Sequence, residues 1–301
     1  MNIVRSTSIL CLLGVAALGA QSPSPRPMNF LDMRLMRSAG ATAISPDGKW
    51  MLYTLSVPNW KDAKSYSDVY VVSTSGGLPT TRQLTFTKDK NESRPTWARD
   101  ASFFVFASNR DAATGAAAGA AAGASTQQLY MMRPDGGEAQ KLTDVKDGVG
   151  AFAFSKDGKW LAYSAGKTDE QQIMVLPVAG IDSAQARPLF THATPVGWWR
   201  FSKDSRRIFF LAPDSVDHAN KERIEKKFDV KVRNQDTPLV ELWMVDVATG
   251  VEKRLTQSAD YAVEDVTLSD DGKWAGFRGM PNDRYSRSIM EGNNYGDLYL
   301  L

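Results

Sequence analysis

The chain alternates between short apolar segments and short polar turns, and the same order of segments returns five times. An apolar segment such as "ATAI" (41–44) precedes Ser-x-Asp-Gly-Lys, which leads into an apolar and aromatic run, as in "SPDGKWMLY" (45–53). Close or divergent copies of the nine residues lie at 98–106, 155–163, 202–210 and 269–277. Because the apolar runs are continuous rather than alternating, they predict strands buried on both faces.

The Ser-x-Asp-Gly-Lys segment predicts a tight hairpin loop. Pro46 suits the second position of a type I turn, and Gly48 suits the left-handed residue after it, which closes a three-residue hairpin with a bulge. Ala101 and Ser205 occupy the place of Gly48 in the divergent copies. We expect these loops either to adopt another conformation or to accept a left-handed residue at about 1–2 kcal/mol. In the second case, glycine at either position should stabilise the fold.

Two further strands follow each hairpin. The predicted third strands are "SDVYVVS" (67–73), "QQLYMMR" (127–133), "QQIMVLP" (171–177), "VELWMVD" (240–246) and "GDLYLL" (296–301). A glycine-containing turn then leads to a fourth segment, found as "TRQLT" (81–85), "AQKLT" (139–143) and "EKRLT" (252–256). Four short antiparallel strands in each period, with no long helix, predict the blade of a β-propeller.

The predicted fold class is therefore all-β, a β-propeller domain over 43–301 with about five blades. We place the blades near 43–85, 96–143, 151–190, 198–256 and 264–301. The last copy lacks a fourth strand, so we interpret the chain as a fragment that stops inside a blade. A closing strand from the N-terminal side is the alternative, but "MNFLDMRLMRSAG" (28–40) has the spacing of a short helix, within a lead-in segment at 21–42.

Two insertions lengthen the repeat. The stretch at 111–126 contains alanine and glycine without an apolar anchor, which favours a surface loop. The stretch at 217–238 has Ile224 and Phe228 four residues apart, and Glu222 four residues before Lys226. This spacing predicts one or two turns of amphipathic helix on the propeller surface, with its charges on a solvated face.

The first twenty residues have the layout of a secretory signal peptide. Arg5 precedes the apolar run Ile9–Leu18, and small residues follow it. A buried N-terminal strand is the alternative. The single cysteine, Cys11, lies inside the run, so cleavage would leave no thiol for a disulfide or a metal site. The pattern predicts a periplasmic or secreted protein, with no membrane association after cleavage.

Charge and composition exclude several classes of function. With 36 Lys and Arg against 34 Asp and Glu, the net charge of +2 provides no basic field for nucleic acid. The sequence has no Gly-x-Ser-x-Gly elbow and no phosphate-binding glycine loop. Its two histidines, His192 and His218, have no serine partner in a suitable setting, and we interpret both as ordinary surface residues. We predict no catalytic residue, no metal site and no cofactor, and the substrate-binding residues are unknown.

The tryptophans fit a structural role. Trp50, Trp160 and Trp274 recur at one position of the repeat, so we interpret them as core residues rather than a ligand cage. Trp198 and Trp199 open the fourth repeat and are also predicted to be core.

The repeat resembles the propeller repeats of TolB-like proteins and of the prolyl oligopeptidase family of serine peptidases. Two further features resemble secreted dipeptidyl peptidase-like and acylaminoacyl peptidase-like members of that family. They are the segment "FLDMRLMRSAGATAISPDGKWMLYTLS" (30–56) and the charged stretch "KERIEKKFDVKV" (221–232), which runs into "ELWMVDVATGVEKRLT" (241–256).

This resemblance implies a propeller that gates access to an α/β-hydrolase domain with a Ser–Asp–His triad. That domain would follow the propeller and is absent from these residues, so no catalytic residue of the family can be assigned here, and the chain alone should be inactive. The implied partner is a peptide substrate, bound together with the hydrolase domain. The sequence leaves open whether the protein forms a homo-oligomer. The alternative function is a non-enzymatic, TolB-like periplasmic propeller that acts as a protein-interaction module.

Overall fold

The structure is a computed structural model that describes residues 26–111, 127–228, 238–281 and 296–301. The signal peptide predicted at 1–20, with Cys11, and nearly all of the insertion at 111–126 lie outside the described residues. The chain divides into two compact units, Met1–Met36 and Arg37–Leu301.

The described part of the first unit, from residue 26, contains one short helix, α1 (Phe30–Leu35). Asn29 caps it, because its side-chain oxygen accepts a hydrogen bond from the backbone N–H of Asp32 (3.0 Å). The Asp32 carboxylate in turn accepts from the backbone N–H of Asn29 (2.9 Å), which completes a reciprocal capping box. The short helix predicted within 28–40 is therefore confirmed.

The second unit consists of five antiparallel sheets, here called blades 1 to 5 in chain order. Blade 1 contains β1 (Ser38–Ile44), β2 (Trp50–Asn59), β3 (Lys64–Ser73) and β4 (Gly77–Gln83). Blade 2 contains β5 (Glu92–Trp97), β6 (Phe104–Ser108), β7 (Gln128–Met132) and β8 (Gln140–Lys141). Blade 3 contains β9 (Val149–Phe154), β10 (Trp160–Ala165), β11 (Gln172–Pro177) and β12 (Arg187–Pro188).

The last two blades follow the same order. Blade 4 contains β13 (Trp199–Phe201), β14 (Arg207–Pro213), β15 (Val240–Asp246) and β16 (Glu252–Arg254). Blade 5 contains β17 (Tyr261–Leu268), β18 (Ala275–Pro281) and β19 (Asp297–Leu300). A short 3-10 helix (Ser183–Gln185) precedes β12, and helix α2 (His218–Glu225) follows β14. The predicted fold class, a propeller of about five four-stranded blades with the last incomplete, is confirmed.

Consecutive blades bury a shared apolar core, which explains why the apolar runs are continuous. All five residues of β6 are buried, because blades 1 and 3 cover its two faces. Four apolar clusters of buried residues each combine side chains from two neighbouring blades. Each blade therefore depends on its neighbour to remove its apolar surface from water.

A polar clamp explains the recurring Leu-Thr after the fourth strand. Thr143 Oγ1 accepts a hydrogen bond from the backbone N–H of Leu129 (2.9 Å) and donates one to Gln128 Oε1 (2.8 Å). Equivalent clamps join the pairs Asp68–Thr85 and Glu241–Thr256. In these three blades, the polar residue before the buried run of the third strand is hydrogen-bonded; Gln128 and Glu241 are buried and Asp68 is half-buried.

Two details differ from the sequence-based expectations. Strand β1 begins at Ser38, inside the segment expected to lead into the propeller, because Ser38–Gly40 already pair with β2. Helix α2 forms as predicted, with its Glu222–Lys226 ion pair (2.5 Å), but Ile224 and Phe228 are 61% and 60% exposed, since no described element covers them. Within the described residues, no helix combines the length and apolar character needed to cross a membrane.

The tryptophans divide into two groups. Trp199 is buried, and Trp50, Trp160 and Trp198 are half-buried against apolar clusters, as a core role requires. Trp274 is 53% exposed, so its predicted core role is wrong for the described residues. The physical reason is positional: Trp50 and Trp160 pack toward the following blade, and no described blade follows Trp274.

Candidate functional site

A cavity of about 700 Å³ lies where the first strands of all five blades converge. Its wall is largely apolar and aromatic, and includes Ala43, Trp97, Phe152, Phe154, Phe201 and Leu268. The first strand is therefore the innermost strand of each blade. A concave, mostly apolar cavity of this size with a few polar groups is the usual form of a small-ligand or peptide site.

The hairpins that close the first strands hold one end of this cavity. In blade 1, Ser45 Oγ donates to Asp47 Oδ1 (2.6 Å) and accepts from the backbone N–H of Trp50 (3.0 Å). Asp47 Oδ1 also accepts from the backbone N–H of Lys49 (3.2 Å). The same bonds recur in the pairs Ser155–Asp157, Ser202–Asp204 and Ser269–Asp271.

The left-handed residue of each hairpin is present as predicted. Gly48 has φ 71°, and the non-glycine residues Ala101 and Ser205 have φ 59° and 62°. Both divergent copies thus keep the loop conformation and accept the strain. Ser205 has a compensating contact, because its Oγ accepts from the backbone N–H of Asp157 in blade 3 (2.9 Å).

The variable second position of the hairpin lines the mouth of the cavity in every blade. These residues are Pro46, Arg99, Lys156, Lys203 and Asp270. In four blades the serine before and the aspartate after this position hold the loop, and in blade 2 Asp100 bonds to Ser102 instead, so the side chain at the second position is available to the cavity. Sequence reasoning treated the position only as part of a turn. The signal that it missed was the change of charge at one position of an otherwise constant motif.

The mouth carries more positive than negative charge. Lys203 Nζ lies 3.6 Å from Asp270 Oδ1, and both side chains are exposed. Arg99 Nε donates weakly to the backbone oxygen of Ser155 (3.4 Å), and Lys156 forms no ion pair within the described residues. Arg200, on β13, also lines the cavity and lies over the ring of Trp198, 5.9 Å from its centroid.

A bulge in the innermost strand of blade 2 places a further cation against blade 3. Arg94 has φ 53° at a register shift in β5, and its guanidinium donates to the backbone oxygen of Gly150 in blade 3 (2.8 Å). The guanidinium also lies over the ring of Phe152, 5.0 Å from its centroid. Register shifts with positive φ recur at Ala41 in β1 and Asp265 in β17. In blade 2, the bulge lets the Arg94 side chain of the inner strand reach the next blade.

The two histidines lie in different surroundings. His192 is only 6% exposed, so its assignment to the surface was wrong. Its Nδ1 lies 2.7 Å from Glu252 Oε2, and its ring packs on Phe210 and Trp243, with centroids 5.2 and 4.7 Å away. His218 is exposed at the start of α2, as expected. In the described part of the chain, no group of three or more His, Cys, Asp or Glu residues is placed to hold a metal.

Comparisons with known proteins relate this architecture to peptidases. The chain is 26% identical to the uncharacterized peptidase YuxL of Bacillus subtilis over 237 residues, which are 77% of this chain and 28% of that protein. It is 25% identical to dipeptidyl-peptidase 5 of Porphyromonas endodontalis over 146 residues, 48% of this chain and 19% of that protein. The matches thus span less than a third of either relative. No protein-family model matches the chain.

Solved structures support the fold. The β-propeller domain of the Trilobed protease from Pyrococcus furiosus aligns with 88% of this chain and 68% of its own length, with a TM-score of 0.52 and 11% identity. At that identity, the likeness concerns the fold alone. The sequence matches confirm the resemblance predicted from the repeats: the chain resembles the propeller part of prolyl oligopeptidase-family peptidases.

Proposed function

From this resemblance, we propose that the chain is the substrate-gating propeller portion of an exported serine peptidase. The observation that carries the proposal is the similarity to a peptidase over 77% of the chain. In the complete protein, an α/β-hydrolase domain would transfer the acyl part of a peptide to a serine and then hydrolyse the acyl-enzyme. The propeller would admit oligopeptides to that domain. Export rests on the signal-peptide pattern of the first twenty residues.

The exposed face of blade 5 supports a propeller that continues beyond these five sheets. Leu298 and Leu300 on β19 are 87% and 69% exposed. Their counterparts on β11, Ile173 and Val175, are fully buried against blade 4. A further blade would cover this face in the same way and would also bury Trp274.

The axial cavity supports the gating role. Its volume of about 700 Å³ is sufficient for several peptide side chains, and all five described blades contribute to its wall. A peptide in the cavity would contact the apolar inner strands and would enter past the hairpin residues at the mouth. If the hydrolase domain covers the cavity, only peptides narrow enough to pass through the cavity would reach its active site.

The test uses the protein encoded by the complete gene beside the 301-residue chain. We expect the complete protein to hydrolyse aminoacyl or dipeptidyl anilides and to react with a serine-directed fluorophosphonate. The 301-residue chain should do neither. A complete protein that folds, does not react with the fluorophosphonate and does not hydrolyse peptides would contradict the proposal and favour a binding module.

A further inference from the structure

The mouth of the axial cavity carries more cationic than acidic side chains. Arg99, Lys156 and Lys203 come from the same hairpin position in three consecutive blades, and only Lys203 has an acidic neighbour at the mouth, Asp270. Arg200 adds a fourth cation to the lining, and it forms no ion pair within the described residues. The concentration of charge is local, because the chain as a whole has a net charge of only +2.

The backbone positions of these cations are fixed by the hairpins and strands that carry them. Lys156 and Lys203 each lie between the serine and the aspartate that fix their hairpin. Arg99 lies beside Asp100, whose Oδ1 accepts hydrogen bonds from Ser102 Oγ (2.7 Å) and from the backbone N–H of Ser102 (3.1 Å). Arg200 is held by strand β13. The cations therefore line one continuous arc of the mouth, on three consecutive blades. A low-dielectric apolar wall beneath a ring of one charge focuses the field into the opening.

We propose that the basic ring Arg99, Lys156 and Lys203, together with Arg200, binds the carboxylates of an acidic peptide segment entering the cavity. The apolar wall favours a peptide over a nucleic acid, whose phosphates need a longer basic stripe. The inference deepens the proposed function, on which it rests, by naming the substrate class: peptides with acidic residues. Each exposed contact is weak, but several cations around one opening act together on a multivalent anion.

The probes are a fluorescein-labelled hexapeptide with two central glutamates and the isosteric peptide with two glutamines. Binding to the 301-residue chain is measured by fluorescence anisotropy at low and high salt. We expect the glutamate peptide to bind about tenfold more tightly at low salt, and the difference to shrink as salt screens the exposed charges.

The variant that tests the ring is Arg99→Gln, Lys156→Gln, Lys203→Gln. The matched control is Lys49→Gln, Lys159→Gln, Lys273→Gln, which removes the same charge from lysines in the same hairpin repeat. Those lysines do not line the cavity, and their Nζ atoms lie 3.5, 3.8 and 3.9 Å from the aspartates of their own loops. We expect about tenfold weaker binding of the glutamate peptide in the ring variant, and little change in the control. Equal thermal melting temperatures would establish that both variants are folded.

A gain of affinity provides a second test. Asp270→Asn removes the single acidic side chain among the described residues that line the mouth, and it frees Lys203, so it should tighten binding of the glutamate peptide about two- to threefold. Equal binding of the two peptides, or equal effects of the ring and control variants, would overturn this inference and leave the peptide gate intact. Tighter binding of a labelled single-stranded DNA dodecamer would also overturn it. Failure of both peptides to bind would overturn the inference and the peptide gate together.

Discussion

At the scale of single residues, one serine and one aspartate organise each inner hairpin. In blade 3, Ser155 is fully buried, donates to Asp157 Oδ1 (2.6 Å) and accepts from the backbone N–H of Trp160 (2.9 Å). The sequence predicted the loop type from proline and glycine alone. It did not predict this bonding, although Ser and Asp are the most constant letters of the repeat. The same bonds leave the residue between them available to the cavity.

Replacing the hairpin serine should destabilise the fold. Ser155→Ala removes a donor to Asp157 and an acceptor for a backbone N–H, which costs about 1–2 kcal/mol. Chemical denaturation measures the change in the free energy of unfolding. The control is Lys156→Ala in the same loop, whose exposed side chain makes no contact that holds the turn; equal losses in both variants would contradict the assigned role of the serine.

Glycine at a strained left-handed position should have the opposite effect. Ala101→Gly should stabilise the fold by about 1 kcal/mol, because it relieves the positive φ of 59°. Ser205→Gly should gain less than the sequence alone predicts, because it also removes the hydrogen bond from the backbone N–H of Asp157. Thermal melting of both variants provides the comparison, and a lower melting temperature for Ala101→Gly would show that the loop is wrongly described.

The hairpin aspartates make stability sensitive to acid. A hydrogen bond from Ser202 and one from the backbone N–H of Arg206 hold the pKa of Asp204 below its ordinary value, and those of Asp47, Asp100 and Asp271 are lowered by equivalent bonds. The unfolded chain therefore binds these protons more tightly. Their stabilisation is present above the unfolded pKa of about 4 and is lost as the pH falls through the lower folded values.

The acid sensitivity can be assigned to one loop. Asp204→Asn keeps an acceptor for the backbone N–H of Arg206 but cannot titrate, so it should reduce the loss of unfolding free energy between pH 5 and pH 3 measured by urea denaturation. Asp270→Asn serves as the control, because Asp270 is outside the hydrogen bonds of its turn. An unchanged pH dependence in Asp204→Asn would be inconsistent with the assignment.

At the scale of strands and blades, polar contacts supplement the apolar cores between neighbours. Trp199 Nε1 donates to Ser164 Oγ (2.7 Å) across blades 3 and 4, and both residues are buried. The order of strands could be predicted from the sequence because every blade repeats one chemical pattern. The buried position of His192 could not, because it depends on Phe210, Trp243 and Glu252 of another blade.

The contact between blades 3 and 4 can be measured with a double-mutant cycle. Trp199→Phe leaves the buried Ser164 hydroxyl without its partner and should cost about 1–3 kcal/mol of unfolding free energy. Adding Ser164→Ala should cost much less than it does in the wild-type background, because the two groups share one bond. Strictly additive losses would show that the bond contributes nothing.

At the scale of the whole propeller, the apolar face of each blade is covered by the next blade. The sequence predicted about five blades and an incomplete last one, because the missing fourth strand is visible as a missing segment. It could not predict the ring of charge at the cavity mouth, since that ring exists only when hairpins distant in sequence converge on one axis. Nor could it predict which repeat positions are left exposed because no described blade covers them, as at Trp274.

The uncovered face of blade 5 should promote self-association of the 301-residue chain. Leu298→Lys together with Leu300→Lys places charge on this exposed apolar edge and should lower the associated fraction in sedimentation velocity without lowering the melting temperature. Leu78→Lys, at an 82% exposed position of β4, is the matched control. The same association in the double variant and the wild-type chain would exclude this face as its cause.

Five sheets line an axial cavity, and we propose that this cavity admits peptides. The most direct test is photo-crosslinking of a peptide that carries a benzophenone side chain, followed by mapping of the adducts by mass spectrometry. We expect adducts on the inner strands, at cavity residues such as Phe152, Trp199 and Phe201. Adducts confined to the outer strands β4, β8, β12 and β16, or to helix α2, would show that peptides do not enter the cavity.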